Sequence, residues 1–204
     1  VTDGNPTGTL RLFVAIPAPD AIREEMIRVQ HELRSLAPHG VVRWTKPEQF
    51  HLTLRFLGDV SSDHVPALQE SLRAVCIGAS ALHLRACGVG FFPNARSPRV
   101  VWMGINDDEN RLMDLQKTIE SAVQPFTAGP GGEHFVGHVT LGRFKRFKIF
   151  EIKELINSVE VMKNRPFGEW TATEVGVVRS ELSKIGTAYT VLAAFLLCDK
   201  IEPS

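Results

Sequence analysis

The sequence carries no net charge: 23 lysines and arginines stand against 23 aspartates and glutamates in 204 residues. No bulk positive field advertises a polyanionic partner, so any nucleic-acid contact has to come from a local patch. Cysteine is scarce too. Cys76, Cys87 and Cys198 are an odd number without C-x-x-C spacing, which argues against a disulfide framework or a zinc knuckle and favours a reducing compartment. Their expected state is as small buried apolar residues. No run approaches the roughly 18 apolar residues that cross a bilayer. The first residues, VTDGNPTGTL, lack the basic-then-apolar order of a signal peptide. Residues 1–9 are expected to be a loose lead-in, and the protein a cytoplasmic monomer without membrane association. No low-complexity linker divides the chain.

What is present is ordinary for a globular protein: 44% hydrophobic and 23% charged residues suit one large domain or two intimately packed lobes. Leu10–Ile16 is apolar and β-prone and is stopped by Pro17 and Pro19. Asp20 is placed to cap a helix reaching about Leu36, with Ile22, Met26, Val29 and Leu33 as its apolar stripe. Strands are expected at Val41–Trp44 and at Phe50–Leu57, the second ended by Gly58-Asp59. Ser61 or Ser62 would cap a helix over Asp63–Ile77, striped by Val65, Leu68, Leu72 and Val75. Strands at Leu82–Phe91 and Arg99–Ile105 follow. A helix opened by Asn106 or Asp107 would reach Val123, with Leu112, Leu115 and Ile119 inward. Then come a glycine-rich loop at Thr127–Gly132, a strand at Val136–Phe144, a short helix at Phe150–Met162, and strands at Ala172–Ser180 and Thr187–Cys198 separated by a Gly186 turn. Roughly eight strands and four helices in mixed order imply an α+β fold.

The tetrapeptide His-x-Thr-Leu occurs twice, as His51-Leu52-Thr53-Leu54 and as His138-Val139-Thr140-Leu141. Residue usage alone makes such a repeat a chance on the order of one in several thousand for a chain of this length. The surrounding elements echo one another, which predicts two pseudo-symmetric lobes, each an antiparallel sheet backed by helices, facing each other across a central cleft. Strand alternation puts His51 with Thr53, and His138 with Thr140, on one face, while Leu52, Leu54, Val139 and Leu141 point to the core.

Two facing histidines admit three chemistries. A metal site normally needs a third ligand, and none sits near either motif at ligand spacing. Nucleophilic catalysis would need a serine or cysteine activated by one histidine, and it leaves the second copy unexplained. General acid–base catalysis uses both, one imidazole accepting a proton while the other donates one. Phosphodiester hydrolysis requires both roles, and threonine hydroxyls on the same face are placed to hydrogen-bond the phosphate oxygens.

With HLTL and HVTL as its signature, the chain resembles the two-histidine phosphoesterases. The strand RLFVAI, the block VRWTKPEQFHLTLRFLGDV, the strand SPRVVWMGI and the segment VVRSELSKIGTAYTVL make it similar in particular to the RNA 2′,3′-cyclic phosphodiesterases, also described as 2′-5′ RNA ligases. The resemblance covers about Leu10 to Leu197. It implies that His51 is the proton donor and His138 the proton acceptor, that Thr53 and Thr140 bind the phosphate, and that neither metal nor cofactor takes part. It implies hydrolysis of an RNA terminal 2′,3′-cyclic phosphate to a 2′-phosphomonoester, with 2′-5′ ligation as the reverse. RNA 3′ ends, those of tRNA fragments among them, are the implied partners.

The resemblance also implies a phosphate-binding arginine two residues after the second motif, which Arg143 supplies. Simple alternation turns Arg143 to the leucine face unless Gly142 permits a bulge. Phe56 is implied as a base-stacking residue, and Trp44 is a candidate for the same role; Trp102 is as open between stacking and core. The run Arg143-Phe144-Lys145-Arg146-Phe147-Lys148 reads equally as an RNA surface or as solvated charges around two core phenylalanines. The remaining histidines, His31, His39, His64, His83 and His134, are expected at the surface. Two other readings stay open: a phosphodiesterase for a 2′-5′ oligonucleotide, cyclic nucleotide or ADP-ribose cyclic phosphate, and an RNA-end-binding module with little turnover.

Overall fold

A computed structural model describes residues 8–127, 129, 134–183 and 186–197. Cys198, residues 1–7 of the expected lead-in and most of the expected 127–132 loop lie outside the described residues. Two antiparallel sheets form the frame. The first orders its strands β3-β1-β8-β9, from β1 (Thr9–Pro17), β3 (His51–Ser61), β8 (Glu174–Ser183) and β9 (Gly186–Leu196). The second orders them β2-β6-β5-β4-β7, from β2 (Val42–Trp44), β4 (Leu82–Phe92), β5 (Val100–Asn106), β6 (His138–Phe144) and β7 (Pro166–Ala172).

Helices α1 (Asp20–Ser35) and α4 (Lys153–Val161) pack on the second sheet, and α2 (Val65–Ile77) and α3 (Arg111–Val123) on the first. The expected pair of sheet-and-helix lobes is therefore present, but interlaced. Helix α1 leaves the first sheet to cover the second, and α3 leaves the second to cover the first. Each sheet is thus covered in part by a helix that follows a strand of the other sheet. The helices seat as their stripes require: Ile22, Met26, Val29 and Leu33 on α1, and Leu112, Leu115 and Ile119 on α3, are buried, each full burial of such a side chain contributing about 1.5–3 kcal/mol.

Several boundaries differ from expectation. Strand β3 runs through Gly58-Asp59 to Ser61, because Gly58 takes a positive φ of 74° at an irregularity in the pairing instead of ending it. Pro19, not Asp20, is the N-cap of α1, and Asp20 binds Arg23 instead. Neither Ser61 nor Ser62 caps α2, which is entered through a 3₁₀ turn at Ser62–His64. Cys76 takes the buried place foreseen for Val75, which is half-buried. Helix α3 starts later than expected, at Arg111, yet the Asp107 carboxylate still accepts from the first two helical N–H groups, at 2.7 Å from Arg111 and 3.3 Å from Leu112. Strand β7 was not foreseen: its polar, exposed residues alternate with only Phe167 and Ala172 buried, a weak apolar signal. No helix among the described residues is long and apolar enough to cross a membrane.

Candidate active site

The two motifs open β3 and β6, and their leucines do what the alternation requires: Leu52, Leu54, Val139 and Leu141 are at most 3% exposed. His51, Thr53, His138 and Thr140 together line a cleft of about 360 Å³ between the sheets. Arg43, Trp44, Thr45, Lys46, Gln49, Phe56, Arg143, Thr187 and Tyr189 complete its walls.

Beyond the threonines the period of two fails, in both lobes at the same place. Ala15 pairs with Thr53 and Val14 with Arg55, so Leu54 is an extra residue on β3. Trp102 pairs with Thr140 and Val101 with Gly142, so Leu141 is the extra residue on β6. Each bulge puts two successive residues on the helix side, Leu54 with Arg55 and Leu141 with Gly142. Arg55 there bonds Glu120 of α3 at 3.1 Å. The next residues, Phe56 and Arg143, are returned to the cleft. The alternation that turned Arg143 away is overruled by this bulge, and Gly142 is what the tight corner needs. A Cβ on Gly142 would stand 2.6 Å from Val42 Cγ1 and 3.1 Å from Trp44 Cε3.

The two imidazoles are held alike. His51 Nδ1 lies 2.7 Å from the Gln49 carbonyl, and His138 Nδ1 lies 2.8 Å from the Val136 carbonyl. A carbonyl can only accept, so each Nδ1 carries the proton and each Nε2 is left for chemistry. Aromatic rings brace them. Phe13 stacks on His51 at 4.7 Å and Tyr189 meets it edge-on at 5.3 Å, while Phe92 meets His138 edge-on at 4.9 Å with Trp102 behind.

This surrounding sets the proton affinities. Burial pushes His51 down from the ordinary 6.5 to about 4; the Gln49 bond opposes the fall, and charge on His138 and Arg143 adds to it. Burial also lowers His138, against its bond to Val136 and with the help of Arg143. In the free protein both rings are therefore mainly neutral at pH 7. Negative charge brought between them would favour the imidazolium forms.

Trp44 lines the cleft half-buried, with the Arg34 guanidinium 5.6 Å over its ring. Phe56 is 61% exposed at the cleft wall. Trp102 is a half-buried brace behind His138 and does not line the cleft. In the basic run only Arg143 reaches the cleft: Lys145, Arg146 and Lys148 are exposed outside it, and Phe144 and Phe147 are half-buried, Phe144 packing on both Phe147 and Phe91. His31, His39, His64, His83 and His134 are all exposed, as expected.

Phe13, Arg43, Thr45, Lys46, Gln49, Thr187 and Tyr189 were not expected as site residues. A signal existed for Tyr189, the one tyrosine of the chain, standing on a strand. Nothing local marks Arg43 or Lys46, whose place depends on β2 pairing with β6.

Comparison with known proteins agrees with the two-sheet fold. The sequence model described as LigT like Phosphoesterase matches residues 16–102 and 104–189. The RNA 2′,3′-cyclic phosphodiesterase of Methanothermobacter thermautotrophicus is 31% identical over 192 residues, covering 92% of this chain and 99% of the relative. That of Archaeoglobus fulgidus is 32% identical over 186 residues, covering 91% and 99%. The crystal structure of Escherichia coli LigT complexed with 3′-AMP superposes with a TM-score of 0.72 at 27% identity, covering 93% of this chain and 98% of that one. The chain thus belongs to the LigT-like phosphoesterase family.

Proposed function

We propose that the protein hydrolyses the terminal 2′,3′-cyclic phosphate of RNA to a 2′-phosphomonoester by general acid–base catalysis between His51 and His138. The observation that carries this reading is the matched pair of imidazoles, each with Nδ1 held by a backbone carbonyl and Nε2 free, each two residues from a threonine that lines the same cleft. The names of the relatives supply the substrate class.

His138 Nε2 takes a proton from water as its oxygen bonds to phosphorus. The P–O3′ bond breaks, and His51 Nε2–H protonates the departing O3′. The free protein disfavours charge on His51 more strongly than on His138, so the donor becomes competent when the phosphate anion binds. Thr53, Thr140 and Arg143 hold the phosphate oxygens, the arginine with a charge-assisted bond. Phe56 and Trp44 offer faces for the terminal base. A 5′-hydroxyl in place of water would form a 2′-5′ linkage at the same site. RNA 3′ ends, including those of cleaved tRNA, are the proposed substrates for a cytoplasmic monomer, and the chemistry asks nothing of a metal or cofactor.

The test is incubation with an RNA ending in 2′,3′-cyclic phosphate, with and without EDTA, followed by end-group analysis. The expected product is a 2′-phosphate formed at the same rate in both. A 3′-phosphate product, or binding without turnover, would contradict the proposal.

A further inference from the structure

Gln30 and Gln116 are the two buried polar side chains among the described residues, at 3% and 9% exposure. They sit in corresponding places, one on each helix that follows a strand of one sheet and covers the other sheet. Gln30 Nε2 donates to the Leu141 carbonyl at 2.7 Å and to the Thr45 carbonyl at 2.8 Å. Gln116 Nε2 donates to the Leu54 carbonyl at 3.4 Å. Leu141 and Leu54 are the two bulged residues. A bulge takes a residue out of the ladder's regular pairing, and its carbonyl turns to donors outside the ladder: the Leu141 carbonyl accepts from the Thr45 N–H at 2.9 Å as well as from Gln30. The apolar helix stripes around each glutamine give no other reason to bury an amide there.

We propose that Gln30 and Gln116 are paired positioning residues that fasten the two bulges and thereby keep Arg143 and Phe56 on the cleft face. Gln30 has the wider reach. Through Thr45 it ties α1 to the segment that carries Trp44 and Lys46, so one amide joins two parts of the cationic wall. Neither glutamine lines the cleft. The functional consequence rests on the phosphate-binding role proposed for Arg143, whereas the structural claim does not.

The test is a double-mutant cycle with two readouts. Gln30→Met keeps the length of the side chain and removes its donors. Released from the bulge, Arg143 no longer faces His138, whose imidazole should titrate at higher pH by NMR, as it should in Arg143→Ala. Inorganic phosphate should bind about tenfold more weakly in either variant. In the double variant neither quantity should move beyond Arg143→Ala alone. Additive effects, or a Gln30→Met protein with wild-type His138 titration, would overturn the proposal. If wild-type protein fails to bind phosphate, the proposed function is at fault, and the titration still decides the role of Gln30. Should Gln30→Met fail to fold, Gln116→Met decides: the Phe13–Phe56 ring contact, 5.9 Å between centroids, should disappear from its NOE spectrum. Persistence of that contact would overturn the pairing.

Discussion

Phe56 and Arg143 hold the same place in the two lobes: each follows a motif histidine by five residues, and each reaches the cleft because the leucine between is bulged. The lobes match up to the threonines and diverge there, one offering an aromatic face and the other a cation. This asymmetry gives a nearly two-fold site a direction, with phosphate charge drawn toward Arg143 and a base toward Phe56. Arg143→Ala should weaken inorganic phosphate and nucleotide substrates alike, by about tenfold to a hundredfold. Phe56→Ala should weaken nucleotides by 1–3 kcal/mol, roughly the stacking of one base, and leave phosphate unaffected. Competitive inhibition constants for phosphate and for 2′-AMP distinguish the two.

Gly142 should tolerate no side chain. The Cβ of Gly142→Ala would press on Val42 and Trp44, an overpacking that costs about 1–3 kcal/mol. Relief requires β2 to move from β6, taking Arg43 and Trp44 from the cleft and disturbing Arg143 beside it. Thermal unfolding should show a lowered Tm, and phosphate inhibition should weaken in the same variant. A stable Gly142→Ala protein with unchanged phosphate affinity would remove the bulge from the account of the site.

Replacing either motif histidine by alanine should reduce turnover about 100- to 10,000-fold, the usual contribution of one acid or base. The double variant should be little worse than the poorer single one, since the two rings serve one proton relay. Circular dichroism should show both singles folded, because the leucines and not the histidines anchor β3 and β6 in the core.

The core face of each strand and the shared face of the two motifs were legible because period-two alternation is a local property. The bulges were not. They arise where β3 meets β1 and where β6 meets β5, and the only local trace was Gly142. Gly142 had no counterpart in the first lobe, where Arg55 bends toward Glu120 instead. The crossing of α1 and α3 between lobes was equally hidden, since an apolar stripe shows that a helix is covered but not by which sheet. Gln30 and Gln116 stood inside such stripes and had no visible reason until both carbonyls were seen.

The rate should depend on pH in two distinguishable ways. For kcat/KM, which reports the free protein, both limbs of the bell should lie below pH 6.5, one of them near pH 4, because burial lowers both imidazoles. For kcat, which reports the complex, the bound phosphate anion favours both imidazolium forms, so the whole profile should shift to higher pH. Coincident profiles, or a kcat/KM limb above pH 6.5, would contradict the proposed electrostatics of the cleft.

Stability should carry the same signature with its own sign. His51 is neutral in the fold down to about pH 4, whereas in the unfolded chain it takes a proton near 6.5. Between these values the unfolded state binds more protons, so stability falls as pH drops from 6.5 toward 4 and levels off below that as far as His51 is concerned. The full difference corresponds to up to about 3 kcal/mol, and water at the cleft mouth reduces it. His138, lowered in the same direction, adds to the loss. His51→Gln removes the titrating group while retaining a polar side chain, so its Tm should decline less than wild type over this interval. Bound phosphate should also flatten the wild-type decline, because it supplies the negative charge that both rings lack. An acid-induced decline of equal size in wild type and His51→Gln would show that His51 is not buried neutral in the folded protein.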